Sequence, residues 1–264
     1  MSEKFLSRLS KGVAILILIY MLIPIIIIFV VSFDAGSYFR FPPKTGWSLI
    51  HYKEAFASRE YMTAVRTSLI VATTAVVIAL FVGIPAAFAI DRYTFKGKSF
   101  IQGAFLSPLM LPSIIWAIAL ISFYAQIRVS GSFIGLALAH GVLISPYVIR
   151  LVLASLAFID KNVEDAAKSL GASPVRTFFE ITVPLISPGV LVSIMFGFTI
   201  SFSDVVISTF IASYKYITYP VRMYVEQRTE GLDPLAVAVS AILMFVIVII
   251  ALVGEKTVKW SRFI

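Results

Sequence analysis

Six long stretches of the sequence contain no Asp, Glu, Lys or Arg, and they restrict the possible folds more than any other feature. They cover residues 13–33, 67–90, 100–127, 129–149, 181–203 and 235–254, and the fifth stays apolar beyond Asp204 to about residue 210. Each has about 20 residues or more, the length that a helix needs to cross about 30 Å of hydrocarbon. We therefore predict an all-α polytopic membrane protein with about six transmembrane helices in a single domain, 1–264.

Composition and charge support a membrane protein and disfavour other classes. Hydrophobic residues make up 59% of the chain and charged residues 14%, whereas soluble domains have about half and a quarter. The net charge of +8 has two explanations, basic loops on the cytoplasmic side of a membrane protein or a surface that binds nucleic acid. The first explanation is favoured. The absence of cysteine from the sequence excludes disulfides and cysteine metal sites.

The distribution of Lys and Arg predicts the orientation in the membrane. Segments 1–12, 91–99, 159–180 and 255–264 hold three such residues each, while the alternate segments hold fewer for their length. Because basic residues concentrate on the cytoplasmic side, both termini and segment 159–180 are expected there.

The polar segment 159–184, between the fourth and fifth stretches, carries helix start and stop signals. Asn162 is a candidate N-cap, and Gly171 suits the left-handed position that ends a helix. Ser173 and Pro174 then read as a new N-cap followed by proline at the first helical position. The pattern predicts a short helix, a sharp turn and a second helix.

The first of these helices has the composition of a docking element. Glu164 and Asp165 place negative charge in its first turn, and Ala166 and Ala167 allow another backbone to approach closely. An ordinary loop between membrane helices would need the same caps, so the residues alone favour the two interpretations about equally.

The same segment resembles the loop by which ABC-importer permeases contact their ATPase, whose pattern is E-A-A-x3-G-x9-I-x-L-P. The matching positions are Asp165, Ala166, Ala167, Gly171, Ile181, Val183 and Pro184. Asp165 replaces the family's Glu and Val183 its Leu, and both changes keep the chemical type. The resemblance implies that Glu164, Asp165, Ala166, Ala167, Gly171 and Pro184 couple the chain to an ATPase.

The resemblance also implies a set of partners. They are a second permease subunit, which is a homologous but different chain, two ATPase subunits and an extracytoplasmic solute-binding protein, in the inner membrane of a bacterium. This chain would bind no cofactor, and ATP and Mg²⁺ would belong to the ATPase. No nucleic-acid partner is expected.

The sequence from Ser201 to Leu243 resembles permeases of the spermidine/putrescine branch. The shared features are Ser201–Ser208, Tyr219–Tyr224 and Asp233-Pro234. A polyamine or related amine is therefore the expected solute, although permeases for opines, aminophosphonates and ferric iron look similar.

Candidate residues of the solute path are polar groups and prolines within the spans. Asp204 has a high insertion cost in a membrane, so it should face the bundle interior and have a partner. The alternatives to a place in the solute path are a structural pair and an interfacial cap at the outer end of the fifth span. Ser201 and Ser203 flank Asp204. Pro108 and Pro112 are expected on one helix face, where they free backbone carbonyls that line a path or are satisfied by neighbours.

Two other functional classes remain as alternatives. An ion-coupled carrier or channel would need no ATPase but should show several charges within the spans, and only Asp204 is found there. A membrane enzyme would need paired acids, a nucleophile with its base or metal ligands, and the spans offer none. His51 and His140 lack metal-site spacing, and His140 is expected to pack in a helix and hydrogen-bond to a neighbour.

Overall fold

The fold is described from a computed structural model, which covers residues 3–38, 40–229, 231 and 233–258. Parts of the predicted inner segments 1–12 and 255–264 lie outside these residues. The α-helices are, in chain order, α1 (Glu3–Val31), α2 (Ile50–Ala57), α3 (Arg59–Arg92), α4 (Lys98–Leu106), α5 (Ser113–Gln126), α6 (Phe133–Leu156), α7 (Lys161–Ser169), α8 (Pro174–Thr177), α9 (Val183–Leu185), α10 (Ser187–Ser203), α11 (Val206–Ile211), α12 (Tyr219–Thr229) and α13 (Pro234–Val258). Two 3₁₀ turns, Ser107–Leu109 and Tyr214–Tyr216, and a π-helical turn, Phe178–Thr182, complete the list. The all-α prediction is confirmed for the described part of the chain.

Among the described residues, three helices are long and apolar enough to cross a membrane on their own. They are residues Ser10–Val31 of α1, α3 and α6, and the number rises to five if two bent helix pairs each count as one span. The described apolar part of α13, Pro234–Ile250, is shorter. The number of six spans and the cytoplasmic termini therefore stay predictions.

The third predicted span is not a single straight helix. The helical segments on either side of residues 110–112 are bent by 107°. Pro108 lies in the 3₁₀ turn and Pro112 is the N-cap of α5, so the expectation that both prolines share one helix face is wrong. Proline lacks the N–H that continues a helix and favours an extended residue before it, which explains the break here.

The fifth predicted span is also divided. The segments Pro174–Leu185 and Ser187–Ser203 are bent by 69°, and α10 ends at Ser203 rather than continuing to residue 210. Asp204 has an extended backbone, with φ −69° and ψ 126°, which separates α10 from α11.

One compact unit consists of Met1–Met62 and Met223–Leu252. Phe29 near the end of α1 packs edge-on against Phe245 of α13, with ring centroids 6.4 Å apart. The Ser32 hydroxyl is hydrogen-bonded to that of Tyr52 in α2 at 2.6 Å. The chain between residues 34 and 62 is partly helical, since it contains α2 and the first residues of α3.

A second unit, Thr63–Arg222 with Val253–Ile264, contains the candidate sites. Its core joins α3, α6 and α10 through small residues that let the helix backbones approach closely. Ala75 and Ala79 of α3 are fully buried, and a Cβ added to Gly197 of α10 would lie 3.3 Å from Ile144 of α6. A second cluster packs α5 and α11 against α6. This packing fixes the positions from which polar side chains of α6, α10 and α11 can meet.

Candidate functional site

Residues 159–184 form a bent segment, here called the elbow, that links α6 to α10. Asp160 begins α7, because its carboxylate accepts a hydrogen bond of 2.9 Å from the backbone N–H of Asn162. The predicted cap at Asn162 is therefore wrong: Asn162 is the second helical residue, and its N–H is one of the unpaired groups that a cap must satisfy.

The turn that follows α7 has the predicted chemistry. Gly171 has φ +90°, the left-handed conformation that glycine adopts without steric penalty. The Ser173 hydroxyl accepts a hydrogen bond from the N–H of Arg176 and Pro174 is the first residue of α8, as the sequence indicates. The elbow is a helix, a sharp turn and a second helix.

The two faces of α7 differ in character. Glu164 is buried, whereas Val163 and Leu170 expose 45% and 90% of their surface. Ala166 is exposed and Ala167 is half-buried. An exposed apolar and small-residue face on an otherwise polar helix is a surface suited to contact with another protein.

Glu164 binds groups from two other parts of the chain. Its Oε1 atom accepts hydrogen bonds from Arg92 Nη2 at 3.0 Å and from the Thr182 hydroxyl at 3.1 Å. Arg92 Nε lies 3.1 and 3.2 Å from the two carboxylate oxygens. Arg92 also contacts Asp91 through Nη1. One carboxylate thus joins the end of α3, the coupling helix candidate α7 and the segment that leads to α10.

An aromatic contact lies beside this ion pair. Phe88, one helical turn before Arg92, packs edge-on against Phe178 at a centroid distance of 4.9 Å. A cavity of about 200 Å³ opens here, lined also by Lys161, Asp165 and Thr177. The buried Thr177 hydroxyl has no hydrogen-bond partner among the described residues.

Surface charges complete the elbow. Asp165 pairs with Lys168 at 3.0 Å, and both side chains are exposed. Arg176 pairs with Glu180 at 2.8 Å, and the hydrogen bond and negative charge of Glu180 raise the pKa of Arg176 above its ordinary value. Pro184 lies in α9, directly after the π-helical turn, and is exposed. Of the six predicted coupling residues, only Glu164 is fully buried.

A second polar cluster lies inside the helix bundle. His140 of α6 is fully buried, and its Nδ1 and Nε2 atoms are hydrogen-bonded to Ser201 and Ser208 at 2.7 and 2.9 Å. A neutral imidazole has one donor and one acceptor, so one serine donates to the ring and the other accepts from it. The expectation that His140 packs in a helix with a hydrogen-bonded neighbour is confirmed.

Asp204 lies at the edge of this cluster, which we call the polar centre: His140, Ser201, Asp204 and Ser208. Its Oδ1 atom accepts a hydrogen bond of 2.9 Å from the N–H of Ser208 and lies 3.9 Å from His140 Nε2. The carboxylate therefore approaches a buried group of α6 and also accepts a hydrogen bond in the first turn of α11. Its role in a solute path or at the membrane interface stays a prediction.

The other solute-path candidates do not belong to the polar centre. Ser203 is exposed and donates to the carbonyl of Thr199 in its own helix at 2.8 Å. Pro108 lines a narrow apolar groove with Trp116 and Leu120, and Pro112 is exposed. The structure thus brings Ser201 and Asp204 together and leaves Ser203, Pro108 and Pro112 outside.

Sequence reasoning missed Arg92, Thr182 and Ser208. Arg92 was one of several basic residues in a predicted inner segment, and the contact with Glu164 joins positions 72 residues apart. No local pattern marks such a pair. Ser208 offers a weak signal, because it lies four residues after Asp204 in a polar group within apolar sequence.

Comparison with known proteins gives consistent matches. A family model described as "Binding-protein-dependent transport system inner membrane component" matches residues 79–255, a range that includes the elbow and the polar centre. The spermidine/putrescine transport system permease protein PotC of Haemophilus influenzae is 33% identical over 225 residues, which cover 85% of this chain and 86% of that protein.

Two further similarities extend the comparison. The molybdate/tungstate transport system permease protein WtpB of Methanocaldococcus jannaschii is 29% identical and covers 75% of this chain and 83% of its own length. In fold, the chain is similar to a crystal structure of a bacterial ABC transporter involved in the import of alginate. The TM-score is 0.77 with 15% identity, over 97% of this chain and 98% of the other.

Proposed function

This chain belongs to the family of binding-protein-dependent transport system inner membrane components, and we propose that its elbow is where a separate ATPase drives solute across the membrane. The observation that carries the proposal is the exposed face of α7. Leu170 is 90% exposed beside the left-handed turn at Gly171, while the opposite face of the helix is fixed through Glu164. A docking helix needs this combination of a free surface and a rigid attachment.

The physical basis of docking is burial of the exposed apolar face of the elbow. Val163 and Leu170 would leave water on contact with a groove of the ATPase, and each buried aliphatic side chain contributes about 1.5–3 kcal/mol. Ala166 and Gly171 lack the bulk that would hold the ATPase backbone away. Asp165, exposed on the first turns of α7, is available to a basic group of the ATPase.

The remaining components of the proposal are those that the family implies. The ATPase pair supplies the sites for ATP and Mg²⁺, a second and homologous permease completes the path, and an extracytoplasmic binding protein delivers the solute. The complex resides in a bacterial inner membrane. ATP-driven closure of the ATPase pair moves the elbow and shifts the population between states that open to opposite sides.

For the solute, we propose a polyamine or a related small amine. The PotC relative is by its name a spermidine/putrescine permease, and the carboxylate of Asp204 within the membrane domain suits a cationic compound. The WtpB relative makes an oxyanion the main competitor, and a carboxylate next to the path would repel it.

The test is ATP-dependent uptake by the reconstituted complex. The chain is purified in complex with the ATPase, second permease and binding protein of its transport system, placed in proteoliposomes and supplied with labelled putrescine, spermidine or molybdate. We expect putrescine or spermidine uptake that requires ATP and the binding protein. Uptake without an ATPase would overturn the importer assignment, and uptake of molybdate alone would overturn the solute.

A variant of the docking face makes the elbow itself testable. Leu170→Asp places a charge at the centre of the proposed contact, so co-purification of the ATPase should fall at least about tenfold, which corresponds to 1.4 kcal/mol. Tyr214→Asp is the matched control, since Tyr214 is 92% exposed but lies outside the elbow. Equal loss of the ATPase in both variants, or in neither, would contradict docking through α7.

A further inference from the structure

The ion pair between Arg92 and Glu164 is buried within the protein, unlike a salt bridge on the surface. The two side chains expose only 7% and 5% of their surface. Neither can reach a partner protein while they remain paired. Glu164 is therefore not available to an ATPase in this conformation, although the family resemblance implies that it is a coupling residue.

The contacts of this pair join three structural elements at one point. Arg92 is the last residue of α3, Glu164 lies in the first turn of α7, and Thr182 ends the π-helical turn before α9 and α10. Four hydrogen bonds of 3.0–3.2 Å converge on one carboxylate. A guanidinium that meets a carboxylate through two nitrogens fixes orientation as well as distance.

The edge-on contact between Phe88 and Phe178 is a second attachment of α3 to the elbow, beside the ion pair. Phe88 precedes Arg92 by four residues, so the two side chains lie on the same face of α3 and both contact the elbow. Two contacts separated along a helix resist rotation, which a single contact would permit. The end of α3 and the elbow are thus attached at two points.

We propose that Arg92 and Glu164 form the joint that transmits displacement of α7 to α3 and to the start of α10. This inference rests on the proposed docking of an ATPase at the elbow. A displaced α7 moves its neighbours only if the connection is stiffer than the turns around it, and a buried two-nitrogen ion pair meets that condition. Without the joint, the turns at residues 93–97 and 170–173 absorb the movement.

The experiment measures coupling in the complete reconstituted complex. The variants are Glu164→Gln, Arg92→Met and the double variant, and the readout is the number of solute molecules imported per ATP hydrolysed. We expect each single variant to lower this ratio at least fivefold in complexes that retain all subunits. The double variant should lower it no further than the single ones, because the three changes remove the same interaction.

A matched control separates the joint from general loss of charge on the elbow. Glu180→Gln makes the same chemical change in the pair with Arg176, whose side chains are 66% and 60% exposed. This control should retain the wild-type ratio. The conservative variant Glu164→Asp, which keeps the charge with a shorter side chain, should recover part of the ratio lost in Glu164→Gln.

The outcomes distinguish this inference from the proposed function. ATP-dependent uptake by the wild type with an unchanged ratio in Glu164→Gln and Arg92→Met would overturn the joint alone. A lowered ratio in Glu164→Gln but not in Arg92→Met would show that Glu164 acts on the ATPase directly and would also overturn the joint.

A distance measurement replaces any variant that fails to assemble. Cysteines introduced at the exposed positions Phe95 and Ser169 of the otherwise wild-type chain carry a pair of spin labels, and no other position is labelled because the chain has no native cysteine. Their distance should then stay constant through the ATP cycle, and a change would overturn the joint.

Discussion

His140 Nε2 lies 3.9 Å from Asp204 Oδ1, although His140 belongs to α6 and Asp204 to the junction between α10 and α11. The serine hydroxyls on either side of the imidazole complete its hydrogen bonds. The polar centre therefore fixes the break between α10 and α11 against α6, and it does so with groups that a hydrocarbon core would otherwise exclude.

Replacement of His140 by Leu should lower the thermal stability of the purified chain. The apolar side chain fills similar space but leaves two buried hydroxyls without their partner, and each unsatisfied group is destabilising by about 1–3 kcal/mol. The measurement is Tm in detergent. Ser203→Ala is the control, because the Ser203 hydroxyl bonds only within its own helix, and equal Tm values for the two variants would contradict the role of the polar centre.

Asp204→Asn should impair uptake of a cationic solute more than it impairs assembly. The amide oxygen can still accept the hydrogen bond from the Ser208 N–H, so the cap of α11 survives while the charge is lost. Loss of one favourable charge contact predicts a KM for putrescine about tenfold higher, at an equal yield of complex. Unchanged uptake kinetics would remove Asp204 from the solute path.

Gly171→Val should uncouple ATP hydrolysis from uptake. A side chain at this position meets no atom within 4 Å, so the effect comes from the φ of +90°, which costs a β-branched residue about 1–2 kcal/mol and displaces α7 relative to α8. Solute imported per ATP is the measurement. Gly97→Val carries the same backbone strain at φ +85°, also in open space but outside the elbow, and it should keep the wild-type ratio. A similar loss in both variants would assign the effect to strain in general.

The loop after α1 should lose a specific stabilising contact in Thr45→Val. The Thr45 hydroxyl donates to Asp34 Oδ1 at 2.7 Å, and this bond is the largest of the causes that hold the pKa of Asp34 below its ordinary 3.8. A depressed pKa in the folded state means stabilisation that is complete at neutral pH and is lost as the pH falls through the folded-state pKa. Thr45→Val should therefore lower Tm at pH 7, and the difference from wild type should shrink as the solution is acidified below about pH 4. A difference that is constant with pH would exclude the carboxylate as its source.

Local signals in the sequence predicted the elbow well. Gly171, Ser173 and Pro174 act through their own backbone preferences, and the structure has the turn and the second helix that they predict. The cap at Asn162 was wrong by two residues because Asp160 and Asn162 both offer a side-chain oxygen atom, and only the helix register decides which one reaches the free N–H.

The breaks inside the spans were harder to predict. Pro108 and Pro112 predict an interruption of the helix. The bend of 107° also depends on which helices pack on either side of the interruption, and the sequence does not show this packing. Asp204 similarly predicts a polar contact but does not identify His140 as the partner. The cost of inserting a carboxylate into a membrane indicates that a partner is needed, and it does not indicate where that partner lies.

By itself, the sequence determined that this chain is helical and suited to a membrane, since long charge-free stretches leave helices as the structure that satisfies every backbone group in hydrocarbon. It also determined the turn at Gly171, the cap at Ser173 and the family to which the chain belongs. Only the tertiary structure decided that Glu164 faces inward to Arg92 and that His140, Ser201, Ser208 and Asp204 meet. These contacts join residues far apart in the chain, and their distances depend on how helices pack, which no local preference encodes.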